Sequence, residues 1–179
     1  MLIIAGKRIS KIKKIIKYSI HGIRFVHPEN MIIGEGVSIG RMSVLQTWPE
    51  YNEKQALKSK PTAIIHNKVY IGSNCQISCM DKIELGENTV LGDNVFISDN
   101  LHGSSSLEDM KIEPLKRELY SKGPIYIGKN VLIGRNTSIL SNVKIGEGAI
   151  IGANSVVTHD IPAYCVAVGS PAKIIKENK

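Results

Sequence analysis

Aliphatic residues recur at every sixth position along much of this chain, and a glycine often follows them: Ile33-Gly34, Ile39-Gly40 and Leu45. The register returns at Ile65, Ile71-Gly72 and Ile77, and again at Leu85-Gly86, Leu91-Gly92 and Ile97. After a break it resumes at Ile127-Gly128, Ile133-Gly134, Ile139, Ile145-Gly146, Ile151-Gly152 and Val157. These fifteen positions fall into five groups of three, eighteen residues per group. A helix needs a period near 3.6 and an alternating strand a period of 2. Six suits a short extended segment plus a turn, three of which close a triangular coil. Each aliphatic then points into a prism, and the Gly, Asn or Asp that follows permits the positive φ a corner wants. Coils would stack about 4.8 Å apart as parallel strands, giving an all-β solenoid with ladders of Ile, Val and Leu inside. A β-sandwich with chance spacing does not produce fifteen hits in register. The period does not set the hand of the coil, and parallel crossovers are ordinarily right-handed.

The pattern divides the chain. Residues 1–30 precede the repeat, 31–162 carry it, and 163–179 form a tail. Two excursions leave the repeat, at 46–62 and at 98–124, both polar and out of phase. Ahead of the repeat, Ile9, Ile12, Ile16, Ile20 and Ile23 fall on one stripe of a helix, with Lys11, Lys13, Lys14 and Lys17 opposite. Such an N-terminal amphipathic helix either caps the open end of the solenoid or lies on an anionic membrane surface through residues 7–24. Pro28 would then separate helix from first coil.

Charge changes this picture little. The net +7 is concentrated in residues 1–30, where seven Lys/Arg face Glu29 alone, a net +6, and the remaining 149 residues carry +1. A near-neutral body without a basic, aromatic-interleaved surface argues against a nucleic-acid partner. Cys75, Cys79 and Cys165 form no even disulfide framework and no close-spaced zinc pair. The apolar start MLIIAG is too short for a signal-peptide core or a membrane span. The expected location is cytoplasmic, with peripheral contact at the inner membrane surface if the helix binds lipid.

The [Ile/Leu/Val]-Gly-x-x-x-x pattern, with the ending IGANSVVTHDIPAYCVAVGSPAKIIK (151–176), resembles the hexapeptide-repeat acyltransferases. Within them it is most similar to sugar O-acetyltransferases of the galactoside/maltose type and of surface-polysaccharide pathways. The resemblance covers roughly residues 31 to 176 and implies a left-handed parallel β-helix, a homotrimer, acetyl-CoA as co-substrate and no metal requirement. A scaffold of this kind hosts several chemistries, so activity has to be read from individual residues.

The break between Ile97 and Ile127 spans 29 residues and has a histidine near its root, in SDNLHG (98–103). Long excursions from a compact repeat carry function or are disordered. In the resembling enzymes a protruding loop carries a catalytic His five residues from a coil-closing aliphatic, and His102 stands at that spacing from Ile97. A sugar hydroxyl must lose its proton as it attacks a thioester, and an imidazole suits that task. Asp81, Asp99 and Asn100 are candidates to orient the ring, though each also suits a corner turn. Trp48, with Tyr51 nearby in the first excursion, is either an acceptor-stacking wall or an anchor for its own loop. His66 reads as a structural corner residue.

For the donor, the family's GA-x-S-x-V-T segment falls on Gly152, Ala153, Ser155 and Thr158, and its cationic tail positions on Lys173 and Lys176. The resemblance thus implies coenzyme A contacts from Gly134, Ala153, Thr158, Lys173 and Lys176, the lysines pairing with phosphates. Three positions depart from the family: His159 where Lys is usual after the Thr, Leu132 where many members have Trp, and Arg135 at a corner that is often smaller.

The reading is an acetyltransferase moving acetyl from acetyl-CoA to a sugar or polysaccharide-precursor hydroxyl, with His102 as general base. Its rivals are N-acetylation of an amino-sugar nucleotide, a zinc-dependent enzyme on the same scaffold, and a non-catalytic scaffold. The zinc enzyme would need three converging histidines, whereas His102 stands alone between His66 and His159.

Overall fold

The computed structural model describes residues 2–4, 22–51, 55–56 and 60–178. Three parallel β walls build a triangular prism. The first wall stacks Met31–Ile33, Thr62–Ile65, Lys82–Leu85, Ile125–Ile127 and Lys144–Ile145. The second stacks Val37–Ile39, Tyr70–Ile71, Val90–Leu91, Leu132–Ile133, Ile150–Ile151 and Cys165–Val168. The third stacks Arg24–Val26, Val44–Thr47, Gln76–Cys79, Phe96–Ser98, Ser138–Ile139 and Val156–Val157. The fold is a left-handed parallel β-helix.

The fifteen aliphatic positions form three unbroken ladders. Ile33, Ile65, Leu85, Ile127 and Ile145 pair in register on the first wall. Ile39, Ile71, Leu91, Ile133 and Ile151 do so on the second, and Leu45, Ile77, Ile97, Ile139 and Val157 on the third. None is more than 4% exposed. A second inward position precedes each ladder residue by two and is also buried, as at Thr89, Val95 and Thr137. Where it is polar it is satisfied: Thr89 Oγ1 donates to the Gly128 carbonyl at 2.8 Å and Ser43 Oγ to the Gly72 carbonyl at 2.9 Å. Cys75 fills one of these places and Cys79 lies beyond a ladder residue, both free thiols. Burial pushes the Cys75 thiol up to about 11, so it is an inert packing group.

The corners differ from expectation in one respect. The positive φ sits three residues after the ladder aliphatic, mostly at Asn: Asn74, Asn88, Asn94, Asn130, Asn136 and Asn154 all have φ near +60°. Asn tolerates the left-handed region, and its amides chain from coil to coil, Asn94 Nδ2 to Asn136 Oδ1 at 2.9 Å and Asn136 Nδ2 to Asn154 Oδ1 at 3.0 Å. The glycine directly after the aliphatic serves close approach instead. A Cβ on Gly40 would lie 2.5 Å from the Gly72 backbone, and one on Gly134 2.5 Å from the Ala153 nitrogen.

The ends also differ. Arg24–Val26 already pairs with Val44–Thr47, so the β-helix begins seven residues before residue 31. Ile23 is buried against its core, and Pro28 opens a short 3-10 turn, Pro28–Asn30, between two strands rather than after a helix. Residues 7–21 of the expected amphipathic helix lie outside the described residues. The tail is strand as well: Cys165–Val168 continues the second wall, and Lys173–Glu177 folds back antiparallel on it. At the opposite end Leu2–Ile4 pairs antiparallel with Val37–Ile39. Among the described residues no helix is long and apolar enough to cross a membrane.

Candidate functional site

Both excursions leave from one edge of the prism, where the third wall turns into the first wall of the next coil. The first runs from Trp48 and contains a small hairpin, Glu50–Tyr51 with Gln55–Ala56. The second is an arm. Leu101–His102 pairs antiparallel with Leu119–Tyr120, and the short helix Leu107–Met110 and the 3-10 turn Pro114–Lys116 lie between. Asp109 braces the arm by accepting from Ser104 N and from Ser104 Oγ at 2.6 Å, and those bonds hold its carboxyl below the ordinary range.

His102 is exposed on the first strand of the arm. The two excursions meet there: Tyr51 Oη lies 3.2 Å from His102 Nδ1 and 3.2 Å from the Leu115 carbonyl oxygen. The Tyr51 and His102 rings contact edge-on, with centroids 5.4 Å apart. Trp48 stacks edge-on against Tyr51 at 6.2 Å, and its indole N–H donates to Ser78 Oγ at 2.9 Å. Of the two roles open to Trp48, the indole N–H is used in anchoring.

The side chains of Asp99 and Asn100, two of the residues expected to orient His102, bond to the body instead. Asp99 is fully buried, and its carboxylate accepts the backbone N–H of Met80 at 2.7 Å and of Asp81 at 2.9 Å. Burial raises its pKa above the ordinary carboxylate value, while the two amides pull the other way. Asn100 donates to the Ser78 carbonyl at 2.9 Å. Asp81 contributes its backbone amide to Asp99. All three fasten the arm's root to the body, and Tyr51 is the side chain that meets His102.

The residues expected to hold coenzyme A divide between two edges. Thr158 follows Val156–Val157 at the edge that carries His102, two coils further on, or about 10 Å along the stack. Its hydroxyl lies 2.8 Å from His159 Nδ1. A cleft of about 460 Å³ opens beside it, lined by Tyr126, Asn142, Lys144, His159 and Asp160. Gly134 and Ala153 stack at the edge between the second and third walls. The Gly134 amide donates to the Ile151 carbonyl at 2.8 Å, so it is used within the coil stack. The tail passes this same edge, with Val156 N donating to Gly169 O and Ala172 N to Val156 O. Lys173 and Lys176 stand exposed on the final strand. His66 is paired with Glu84 at 2.9 Å on the first wall. Leu132 lies 46% exposed on the outer face of the second wall, and Arg135 is exposed at its corner.

Residues 124–159 match the family model described as bacterial transferase hexapeptide (six repeats). Within that stretch the six-residue repeat is carried by Ile127, Ile133, Ile139, Ile145, Ile151 and Val157. A 63-residue stretch is 44% identical to the Staphylococcus aureus (strain Mu50) protein SAV2555, covering 35% of this chain and 32% of that one. Over 172 residues the chain is 26% identical to the Probable acetyltransferase Rv3034c of Mycobacterium tuberculosis, covering 93% of this chain and 56% of that one. The chain therefore spans between about a third and just over half of these curated relatives. Among solved structures it is similar to AntD, an N-acyltransferase from Bacillus cereus in complex with dTDP-4-amino-4,6-dideoxyglucose and coenzyme A. The TM-score is 0.70 at 20% identity, over 88% of this chain and 78% of that one. That likeness is one of fold.

The element of this site that the sequence concealed is Tyr51. It lies 51 residues from His102, in an excursion that has left the prism, so no spacing links the two. The available signal was two out-of-phase excursions leaving the same turn of the repeat, which a triangular coil brings to one edge. Among the described residues no group of three His, Cys, Asp or Glu is arranged to hold a metal.

Proposed function

We propose that the chain transfers an acetyl group from acetyl-CoA to a hydroxyl of a sugar or surface-polysaccharide precursor, with His102 as general base. The observation that carries this reading is the position of His102: exposed on a braced arm, reached by a second loop, with Nδ1 meeting Tyr51 and no hydrogen bond at Nε2 among the described residues. An alcohol is a poor nucleophile until its proton is removed. As the hydroxyl oxygen attacks the thioester carbonyl, His102 accepts its proton; as the C–S bond breaks, the imidazolium returns that proton to the departing thiolate. Base catalysis of this kind contributes roughly 10²–10⁴ in rate. No covalent acetyl-enzyme is required, and the buried thiols of Cys75 and Cys79 are unsuited to one.

Coenzyme A binds across two copies of the chain in this reading. Thr158 and His102 occupy one edge of the prism, whereas Ala153 and the Lys173–Glu177 tail occupy another. Edges of neighbouring copies in a homotrimer would bring the two sets together, Ala153 allowing close approach and Lys173 and Lys176 meeting phosphates.

Amine acetylation of an amino-sugar nucleotide is the second reading, favoured by the fold likeness to AntD, itself an N-acyltransferase in complex with such a nucleotide. A neutral amine attacks without prior deprotonation, so this reading predicts a smaller loss on removing the base.

The test is thiol release from acetyl-CoA with sugars, lipid-linked saccharides and amino-sugar nucleotides, wild type beside His102→Ala. Acceptor-dependent release that falls at least about 10²-fold in the variant supports the reading. Failure of acetyl-CoA to bind at all would replace it with a non-catalytic scaffold.

A further inference from the structure

We propose that Tyr51 is a positioning residue for His102: its hydroxyl holds the imidazole with the hydrogen on Nδ1, leaving the Nε2 lone pair free for the acceptor. The proposal rests on the reading of His102 as a base and adds how that base is set.

The number of hydrogens sets the direction of each contact. Tyr51 Oη has two neighbours at 3.2 Å, the Leu115 carbonyl oxygen and His102 Nδ1. A phenol carries one hydrogen and a carbonyl oxygen can only accept. If both contacts are hydrogen bonds, Tyr51 donates to Leu115 and its oxygen accepts from Nδ1–H of His102. The opposite tautomer, with a bare Nδ1, would compete with Leu115 for the single phenol hydrogen and leave one acceptor unmatched. The orientation of the second ring nitrogen is what fixes a histidine's role, and here it is set by a residue on another loop.

Tyr51 is itself held from both sides. Trp48 packs edge-on against its ring and is tied to Ser78 on the body through the indole N–H. Gln46 Nε2 and Asn100 Nδ2 both also lie 3.1 Å from Ser78 Oγ, so donors from the roots of both excursions gather on one hydroxyl of the third wall. On the other side, the Leu115 carbonyl belongs to the 3-10 turn of the arm that carries His102. The first excursion therefore grips the arm at two points, one on each of its limbs.

The experiment combines spectroscopy with kinetics on the full chain. Side-chain ¹⁵N NMR of the His102 ring, assigned by comparison with His102→Ala, is recorded at about pH 8, above the ordinary imidazole pKa of about 6.5. Wild type should show a protonated Nδ1 and a bare Nε2. In Tyr51→Phe, which keeps the ring packing against Trp48 and His102, the tautomer should shift toward Nε2–H. At the same time kcat should fall about tenfold, as expected for one lost hydrogen bond, with KM for acetyl-CoA unchanged. If Tyr51→Phe alters neither tautomer nor kcat while His102→Ala abolishes turnover, the positioning role is overturned and the base reading survives. If the tautomer shifts but His102→Ala leaves turnover intact, the Tyr51–His102 relationship stands and the base reading fails.

Discussion

Asp99 and Met80 are 19 residues apart in sequence, yet the Asp99 carboxylate accepts the Met80 amide at 2.7 Å and bridges to the next amide, Asp81, at 2.9 Å. The bridge closes the turn beneath the arm that carries His102. In Asp99→Ala both amides lose their acceptor inside the protein, which should cost about 2–4 kcal/mol. Asp99→Asn keeps one acceptor oxygen and should cost about half as much. Urea unfolding of the two variants checks the order, and faster amide exchange at Met80 and Asp81 would localise it.

Gly134 should not tolerate a methyl group. Its Cβ would lie 2.5 Å from the Ala153 nitrogen in the next coil, and backbone cannot move aside as a flexible side chain can. Gly134→Ala is expected to lower stability by about 1–3 kcal/mol, the range for overpacking. Coenzyme A affinity measured on the folded fraction should fall less than stability does, because the Gly134 amide is engaged within the stack.

The asparagine corners give a different test. Asn136 has φ near +58° and bonds to Asn94 and Asn154. Asn136→Val puts a β-branched residue in the left-handed region and removes both side-chain bonds, a loss of about 2–3 kcal/mol. Asn136→Gly should recover the backbone part of that loss. Thermal unfolding of the pair separates conformation from hydrogen bonding.

Lys173 and Lys176 carry the donor prediction. If they meet phosphates, Lys173→Ala and Lys176→Ala should each weaken coenzyme A binding about five- to tenfold, as for loss of one charge-assisted hydrogen bond. Binding of pantetheine, which has no phosphate, should be unchanged. Calorimetry with the two ligands measures both effects.

Acid should act on the first wall through Glu84. Its carboxyl is held below the ordinary range, first by the hydrogen bond from Lys82 at 2.8 Å and then by His66. A depressed carboxylate stabilises the fold fully above the unfolded glutamate value of about 4.3 and loses that contribution as pH falls through its lower folded value. The pair is on the surface, so the effect stays below about 1 kcal/mol. The difference in urea midpoint between wild type and Glu84→Gln should be present at neutral pH and shrink below about pH 4.

The ladder was readable from sequence because a prism interior admits only side chains that point inward, and burial at Ile39, Ile71 or Leu91 enforces the spacing. The grouping of excursions on one edge follows from the same period. Three things were hidden for physical reasons. Asn at the corners and glycine at the close approaches do different work at adjacent positions, and composition alone merges them. The first strand, Arg24–Val26, places Phe25 rather than an aliphatic opposite Leu45 and has no full coil to show phase. The contact between Tyr51 and His102 joins two segments whose only regularity is that both leave the repeat, so it exists in space and nowhere in the spacing.

A stack of coils has no intrinsic length: each terminal strand offers the same unpaired backbone groups to the next coil, whether that coil belongs to the same chain or another. The second wall ends at both extremities in a reversed strand, Leu2–Ile4 at one and Lys173–Glu177 at the other. A reversed strand breaks the register that an incoming parallel coil would need, and Lys173 and Lys176 place positive charge on the outer one. The same short segments that finish the fold thus oppose end-to-end polymerisation along that wall, keeping a potentially endless fibre to the size of one molecule.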